Sequence, residues 1–133
     1  MVDYLLHHGE GASLLRIVMM KFFCYTTVFN AIELFSLTRN VSEARAVTSA
    51  MSAMKILGLN AKRAEHYGRW FASHRKIAPL NLLVAGMCLE SKLPLVTGMP
   101  ESFRGVHGLL LVKGSTVDAA SSAAEILSRA ETL

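Results

Sequence analysis

One carboxylate, Glu33, stands in a tract of apolar and hydroxyl-bearing residues that runs from position 26 to position 35. A carboxylate in such surroundings needs a hydrogen-bond donor or a positive charge, because burying it unpaired is costly. The tract follows a strand-like segment at residues 21–25, and Glu33 falls inside the helix that continues from it. Alternatively, Glu33 is an ordinary surface residue whose carboxylate, near the start of a helix, interacts with the free first-turn amides. Both interpretations stay open from these residues alone.

The histidines and cysteines do not form a metal-binding pattern. His7 and His8 have no Glu or Cys at ligand spacing, and the other three histidines are isolated, which favours solvated or hydrogen-bonded side chains. Cys24 and Cys88 both have apolar neighbours in the sequence, where Cys usually behaves as a small hydrophobic residue. Chemistry based on His or Cys is therefore not indicated.

Composition narrows the class of protein. The 133 residues favour one domain, and the formal charge of +4 with a pI near 9.3 is compatible with a polyanionic partner such as RNA. No apolar run reaches the roughly 18–20 residues of a membrane span, so no membrane association is expected. The most apolar stretch, residues 14–25, is interrupted by Arg16 and Lys21 and has no secretory cleavage site. A cytoplasmic protein is predicted.

Helices and short strands alternate along the chain. Residues 3–8 and 12–20 read as helices, 22–26 as a strand, and Thr26 or Thr27 can cap the helix that contains Glu33. Ser42 is the predicted N-cap of the next helix, whose apolar face has the three-and-four spacing of an amphipathic helix. That face comprises Ala44, Val47, Met51 and Met54.

In the second half, Asn60 is predicted to cap an amphipathic helix that ends near position 74. Pro79 and Asn81 start another helix, residues 82–91, which is hydrophobic almost all round and so predicted to be buried. Residues 93–97 and 109–113 read as strands, and the Ala-rich residues 116–129 as a closing helix. Strands separated by helices favour βαβ crossovers, and hence an α/β fold with a parallel sheet covered on both faces.

Three segments carry a resemblance to a known family: Thr27 with Ile32-Glu33-Leu34, then residues 81–86 (NLLVAG), then the TGMPESF run from Thr97. Together they resemble the PIN-domain ribonucleases, in particular the VapC toxins of toxin–antitoxin pairs. The resemblance covers about residues 1–113 of a single domain spanning 1–133, with residues 114–133 as a C-terminal helix. It implies a PIN-like three-layer fold, in which a short parallel sheet is flanked by helices.

The family cuts single-stranded RNA with one or two Mg²⁺ or Mn²⁺ ions, which hard carboxylate oxygens hold. By resemblance Glu33 occupies one family acid position, and Asn81 stands where the family has an Asp. Thr97 matches the family's T-x-N/D tract, and Glu101 is a neighbouring acid that would substitute for the missing one. Glu33, Asn81 and Glu101 are thus the implied catalytic remnant, with Glu33 and Asn81 as metal ligands.

The chain's start departs from the family pattern. Residues 1–6 look like the family's first helix, so the first strand, normally central in the sheet and ending in a catalytic Asp, is expected to lie upstream. In an alternative register Asp3 is itself that first acid. With most site acids absent, the resemblance implies weak metal binding and impaired RNA cleavage. RNA, an antitoxin protein and a second copy in a homodimer are the implied partners. The alternative is a non-catalytic interaction module that retains the dimer or antitoxin-binding surface.

Overall fold

The computed structural model describes residues 19–20, 22–119 and 122–133. Within them the chain is a mixed α/β protein with six α-helices and two small sheets. It divides into two compact units, Met1–Gly58 and Leu59–Leu133, which are described in turn. The helices predicted at 3–8 and 12–20 lie outside the described residues, apart from 19 and 20, and so does Asp3.

The first unit is a βααβ arrangement. Strand β2 runs parallel to β1, with Thr26 opposite Ile56, and the two helices between them form the connection. One apolar stripe of each helix packs into a shared core, because Leu34 of α1 and Val47 of α2 are almost fully buried. Its elements are β1 Tyr25–Thr27, α1 Val28–Ser36, α2 Val41–Ser52 and β2 Lys55–Leu57.

Side-chain caps begin both helices of this unit. Thr27 caps α1 as predicted, since its hydroxyl accepts a hydrogen bond from the Asn30 amide at 3.1 Å. The predicted cap of α2 at Ser42 is wrong, because Asn40 takes that role and accepts from the Glu43 amide at 2.9 Å. The Glu43 carboxylate reaches back to the Arg39 amide at 2.7 Å, a reciprocal pairing that places the helix start before Ser42.

The second unit places two helices before a three-stranded sheet. Asn60 caps a 3₁₀ turn that leads into α3, as predicted, and α4 turns back through the left-handed Lys92 (φ 54°) into β3. Its elements are a 3₁₀ turn Ala61–Arg63, α3 Ala64–Ser73, α4 Pro79–Ser91, β3 Leu95–Thr97, a 3₁₀ turn Pro100–Phe103, β4 Leu110–Lys113, α5 Gly114–Ala119, α6 Ala123–Ser128 and β5 Glu131–Thr132.

The sheet of this unit has the order β3-β4-β5, with β3 parallel and β5 antiparallel to β4. Helix α4 is buried over most of its surface, as predicted from its all-round apolar sequence, and Leu82 and Ala85 join Leu111 of β4 in one core cluster. Leu111 and Val112 point to opposite faces of β4 and are both almost fully buried, so both faces of this strand are covered.

The structure corrects three expectations about the elements. The strands begin later than predicted, at Tyr25, Leu95 and Leu110, since pairing starts only where the partner strand does. The closing helix predicted at 116–129 is wrong: two short helices, α5 and α6, replace it, and Ser122 caps the second. The described strands form two sheets rather than the single parallel sheet predicted, and the second includes an antiparallel strand, β5.

Candidate functional site

Glu33 lies on the exposed side of α1. The helix turns Ala31 and Leu34 into the core of the first unit, which directs Glu33, between them in sequence, toward solvent. Within the described part of the chain its carboxylate makes no hydrogen bond or ion pair, and only its backbone oxygen accepts, from the Ser36 hydroxyl at 2.7 Å. Glu33 is therefore an accessible carboxylate and not a buried structural charge.

Asn81, Thr97 and Glu101 lie in the second unit, toward one end of it. The last turns of α4, with Cys88 and Leu89, line a cavity with Leu110 at the start of β4, so its first turn, with Asn81, lies toward the opposite, carboxyl end of the strands. The 3₁₀ turn that carries Glu101 follows three residues later and packs against α4. The topology thus places three of the four predicted site residues toward the carboxyl end of β3, but Asn81 and Thr97 do not line the cavity beside Glu101.

Thr97 has a local structural role. Its hydroxyl accepts a hydrogen bond from the Met99 amide at 3.0 Å, which tightens the turn out of β3. Asn81 is half-buried in the first turn of α4, a helix that begins at Pro79 without a side-chain cap. A neutral amide there presents an oxygen ligand without the charge of the family's Asp.

Glu101 lines a cavity of about 190 Å³ that is also lined by two positively charged side chains, Arg104 and Lys113. Arg104 follows it in the chain, and Lys113 ends β4 directly opposite Thr97. Glu131 of β5 supplies a second carboxylate, so the formal charges of these four side chains cancel. A divalent cation beside Glu101 would meet two positive side chains as well as the two carboxylates, so its net attraction is weaker than at a cluster of carboxylates alone.

Acidic ligands are correspondingly sparse. Across residues 22–119 and 122–133, no three His, Cys, Asp or Glu side chains come close enough to hold a metal ion.

The two cysteines confirm the prediction of hydrophobic roles: Cys88 belongs to the core of the second unit and Cys24 packs against that of the first. Burial raises the pKa of Cys88 to about 11, which leaves its thiol protonated and unreactive at neutral pH.

A polar constellation that the sequence does not reveal links α3 to α4. Arg63 and Glu90 form an ion pair at 2.7 Å across 27 positions, a separation without a sequence signal. Beneath it, the Tyr67 hydroxyl is buried and has no hydrogen-bond partner among the described residues. Burial, aided by the negative charge of neighbouring Glu90, raises the pKa of Tyr67 to about 12.

This raised pKa predicts a loss of stability in alkali. The unfolded chain ionises near the ordinary pKa of 10.0, so between there and about 12 it releases a proton that the folded chain keeps, and folding weakens as pH rises. Tyr67→Phe should remove much of this loss, because phenylalanine has no hydroxyl to ionise. Urea unfolding at neutral and alkaline pH measures the effect. Tyr25→Phe, at an exposed tyrosine, should retain the alkaline loss; equal behaviour of both variants would contradict the assignment.

Comparison with known proteins does not assign the chain. No protein-family model matches it, and no curated protein matches it either. No helix in the described part of the chain is long and apolar enough to cross a lipid bilayer.

Proposed function

We propose that the chain is a PIN-like, VapC-type protein of the toxin–antitoxin class whose metal-dependent RNA cleavage is impaired. The supporting observation is the arrangement at the carboxyl end of β3. Asn81, Thr97 and Glu101, which the resemblance assigns to the family's site, lie toward the same end of the second unit although 20 positions separate the first from the last. Ligand sites of α/β proteins form at the carboxyl ends of parallel strands.

Strand order also supports a PIN-like fold. The pairs β1–β2 and β3–β4 are both parallel, and helices connect the first pair, as in the family's crossovers. The proposed fold is therefore a PIN-like sheet flanked by helices.

Impaired cleavage follows from charge. Mg²⁺ gives up its hydration water reluctantly and binds through carboxylates together with retained waters and substrate phosphates, so each carboxylate lost or opposed by a positive side chain weakens its binding. Asn81 contributes no charge, and Glu101 shares its cavity with Arg104 and Lys113. Glu33 is accessible but unaccompanied on α1 within the described residues. Mg²⁺ or Mn²⁺ would be the cofactor, weakly held, and its effect on a bound water would be correspondingly small.

Restoring the missing charge tests this proposal. The protein as it stands should show no robust cleavage of single-stranded RNA with Mg²⁺ or Mn²⁺ and little change in melting temperature when Mn²⁺ is added. Asn81→Asp supplies a carboxylate at the family position and should make the melting temperature rise with Mn²⁺ concentration, because an ion that binds only the folded state stabilises it. Asn60→Asp is the matched control, since it changes an exposed helix-capping Asn and keeps a capping side chain.

Two outcomes would count against the proposal. If Asn81→Asp responds to Mn²⁺ no more than Asn60→Asp does, position 81 is not part of a former metal site. If the unmodified protein cleaves RNA and Glu33→Ala abolishes the cleavage, the site is functional and the impairment is wrong.

A second candidate function is a non-catalytic interaction module. It is favoured by four apolar side chains that are 41–68% exposed on α1, its C-terminal turn and the start of α2, and that would be covered by a protein partner. They are Ile32, Phe35, Leu37 and Val41. A second copy or an antitoxin is the partner implied by the resemblance. Absence of any Mn²⁺ response in Asn81→Asp would favour this function over the first.

A further inference from the structure

Two aromatic side chains are exposed at the entrance to β1. Phe23 is 74% exposed and Tyr25 is 40% exposed, although aromatic rings of this size normally contribute to a core. Their ring centroids lie 5.4 Å apart with an interplanar angle of 79°, an edge-to-face pair. The pair therefore holds a defined geometry while leaving much of the Phe23 ring in solvent.

A cation completes this surface. Lys55 is the residue of β2 directly opposite Tyr25, and its ammonium nitrogen lies 6.0 Å from the centroid of the Tyr25 ring. Opposite residues of neighbouring strands project from the same face of a sheet, so strand register fixes the lysine beside the two rings. We refer to Phe23, Tyr25 and Lys55 as the aromatic–lysine patch.

The chemistry of this patch matches a single-stranded nucleic acid. Exposed rings provide faces on which bases stack without regard to sequence, and a neighbouring ammonium attracts the phosphate of the same strand. An apolar protein surface would instead bury the Lys55 ammonium without a counter-charge, which is unfavourable. The overall charge of +4 adds a general attraction for a polyanion.

We propose that the aromatic–lysine patch binds single-stranded RNA, with a base stacked on Phe23 and a backbone phosphate near Lys55. The choice of RNA rests on the proposed function. The patch lies at the amino end of β1, whereas Glu33 follows the carboxyl end of that strand in α1. It is thus a binding surface of the first unit separate from the position that the resemblance assigns to catalysis.

Fluorescence anisotropy with a short, end-labelled single-stranded RNA tests the assignment on the full chain. Phe23→Leu keeps an apolar side chain but removes the ring, and it should weaken binding roughly fivefold or more, the loss typical of one stacked base. Lys55→Gln should lower the dependence of log Kd on log salt by about one phosphate contact. Leu127→Ala, at an exposed apolar residue of α6 outside the patch, is the control and should bind as the unmodified chain does.

Melting temperatures equal to that of the unmodified chain establish that each variant is folded. Equal RNA affinity of Phe23→Leu and Leu127→Ala would overturn the inference while leaving the proposed function intact. Failure of the unmodified chain to bind RNA would also overturn it, and the Mn²⁺ response of Asn81→Asp then decides the proposed function separately. If Phe23→Leu dissociates a dimer in light scattering with RNA affinity unchanged, the patch is a protein contact and the inference is wrong.

Discussion

Replacing Leu111 by Ala should lower the free energy of unfolding by about 2–5 kcal/mol, the cost typical of emptying a well-packed leucine site. Leu111 is 1% exposed and lies in β4, which has β3 on one edge and β5 on the other. Its side chain packs in the core cluster of the second unit with Leu82 and Ala85 of α4. Paired strands on both sides restrict collapse of the cavity, so little of the lost packing can be recovered.

Leu110→Ala is the matched control for this prediction. It removes the same atoms one position earlier in β4, where the side chain points to the opposite face and is only half-buried. Urea denaturation monitored by the fluorescence of the single tryptophan, Trp70, reports on the unit that contains both residues. The loss should be clearly smaller for Leu110→Ala. Equal losses would mean that the register of β4 against β3 and β5 is wrong.

Features set by local chemistry could be predicted from the sequence. Thr27 caps α1 as expected, and Asn60 caps the 3₁₀ turn that leads into α3, because a short polar side chain next to free first-turn amides is sufficient to define a helix start. Helix α4 is buried as its uniformly apolar sequence predicts. The start of α2 was predicted wrongly, which shows the limit of such reasoning: the pairing of Asn40 with Glu43 supplies more hydrogen bonds than Ser42 alone would.

Features set by distant partners could not be predicted. Strand β5 is two residues long and exists through pairing with β4, extended by hydrogen bonds from the Leu133 amide to Leu109 at 3.0 Å and from the Gly108 amide to Leu133 at 2.7 Å. An Ala-rich sequence predicts one continuous helix there, and nothing local signals the pairing that replaces its end.

The candidate site likewise has features that could be predicted from the sequence and features that could not. The resemblance selected Asn81, Thr97 and Glu101, and chain topology brings them toward one end of the second unit. The two positively charged side chains near Glu101 were not anticipated. Arg104 and Lys113 belong to no charge run in the sequence, and only the folding of the 3₁₀ turn against β4 brings them to the same cavity. They are the physical reason to expect a weaker metal site than counting acids alone suggests.

Gly86→Ala should also destabilise the protein, by about 1–3 kcal/mol, because there is no room for the added methyl group. An ideal Cβ at Gly86 would lie 2.7 Å from the Tyr67 hydroxyl oxygen and 2.9 Å from Cζ3 of Trp70, and closer still to Cε1 of Tyr67. Tyr67 is 3% exposed, and its rigid ring cannot turn aside as the end of a flexible chain would. The clash must displace α3 or α4, which outweighs the gain in helix propensity.

Gly68→Ala separates the clash from that gain in propensity. Gly68 lies within α3 with nothing within 4 Å of its ideal Cβ, so the same substitution should stabilise the protein by about 0.5–1 kcal/mol. The two variants therefore shift the urea midpoint in opposite directions, a difference in sign that does not depend on the size of either effect. If adding Tyr67→Leu to Gly86→Ala partly restores the stability that Gly86→Ala removes, the aromatic ring is the obstacle. Stabilisation by both glycine substitutions would instead show that α3 and α4 are farther apart at this point than the 2.7 Å approach requires.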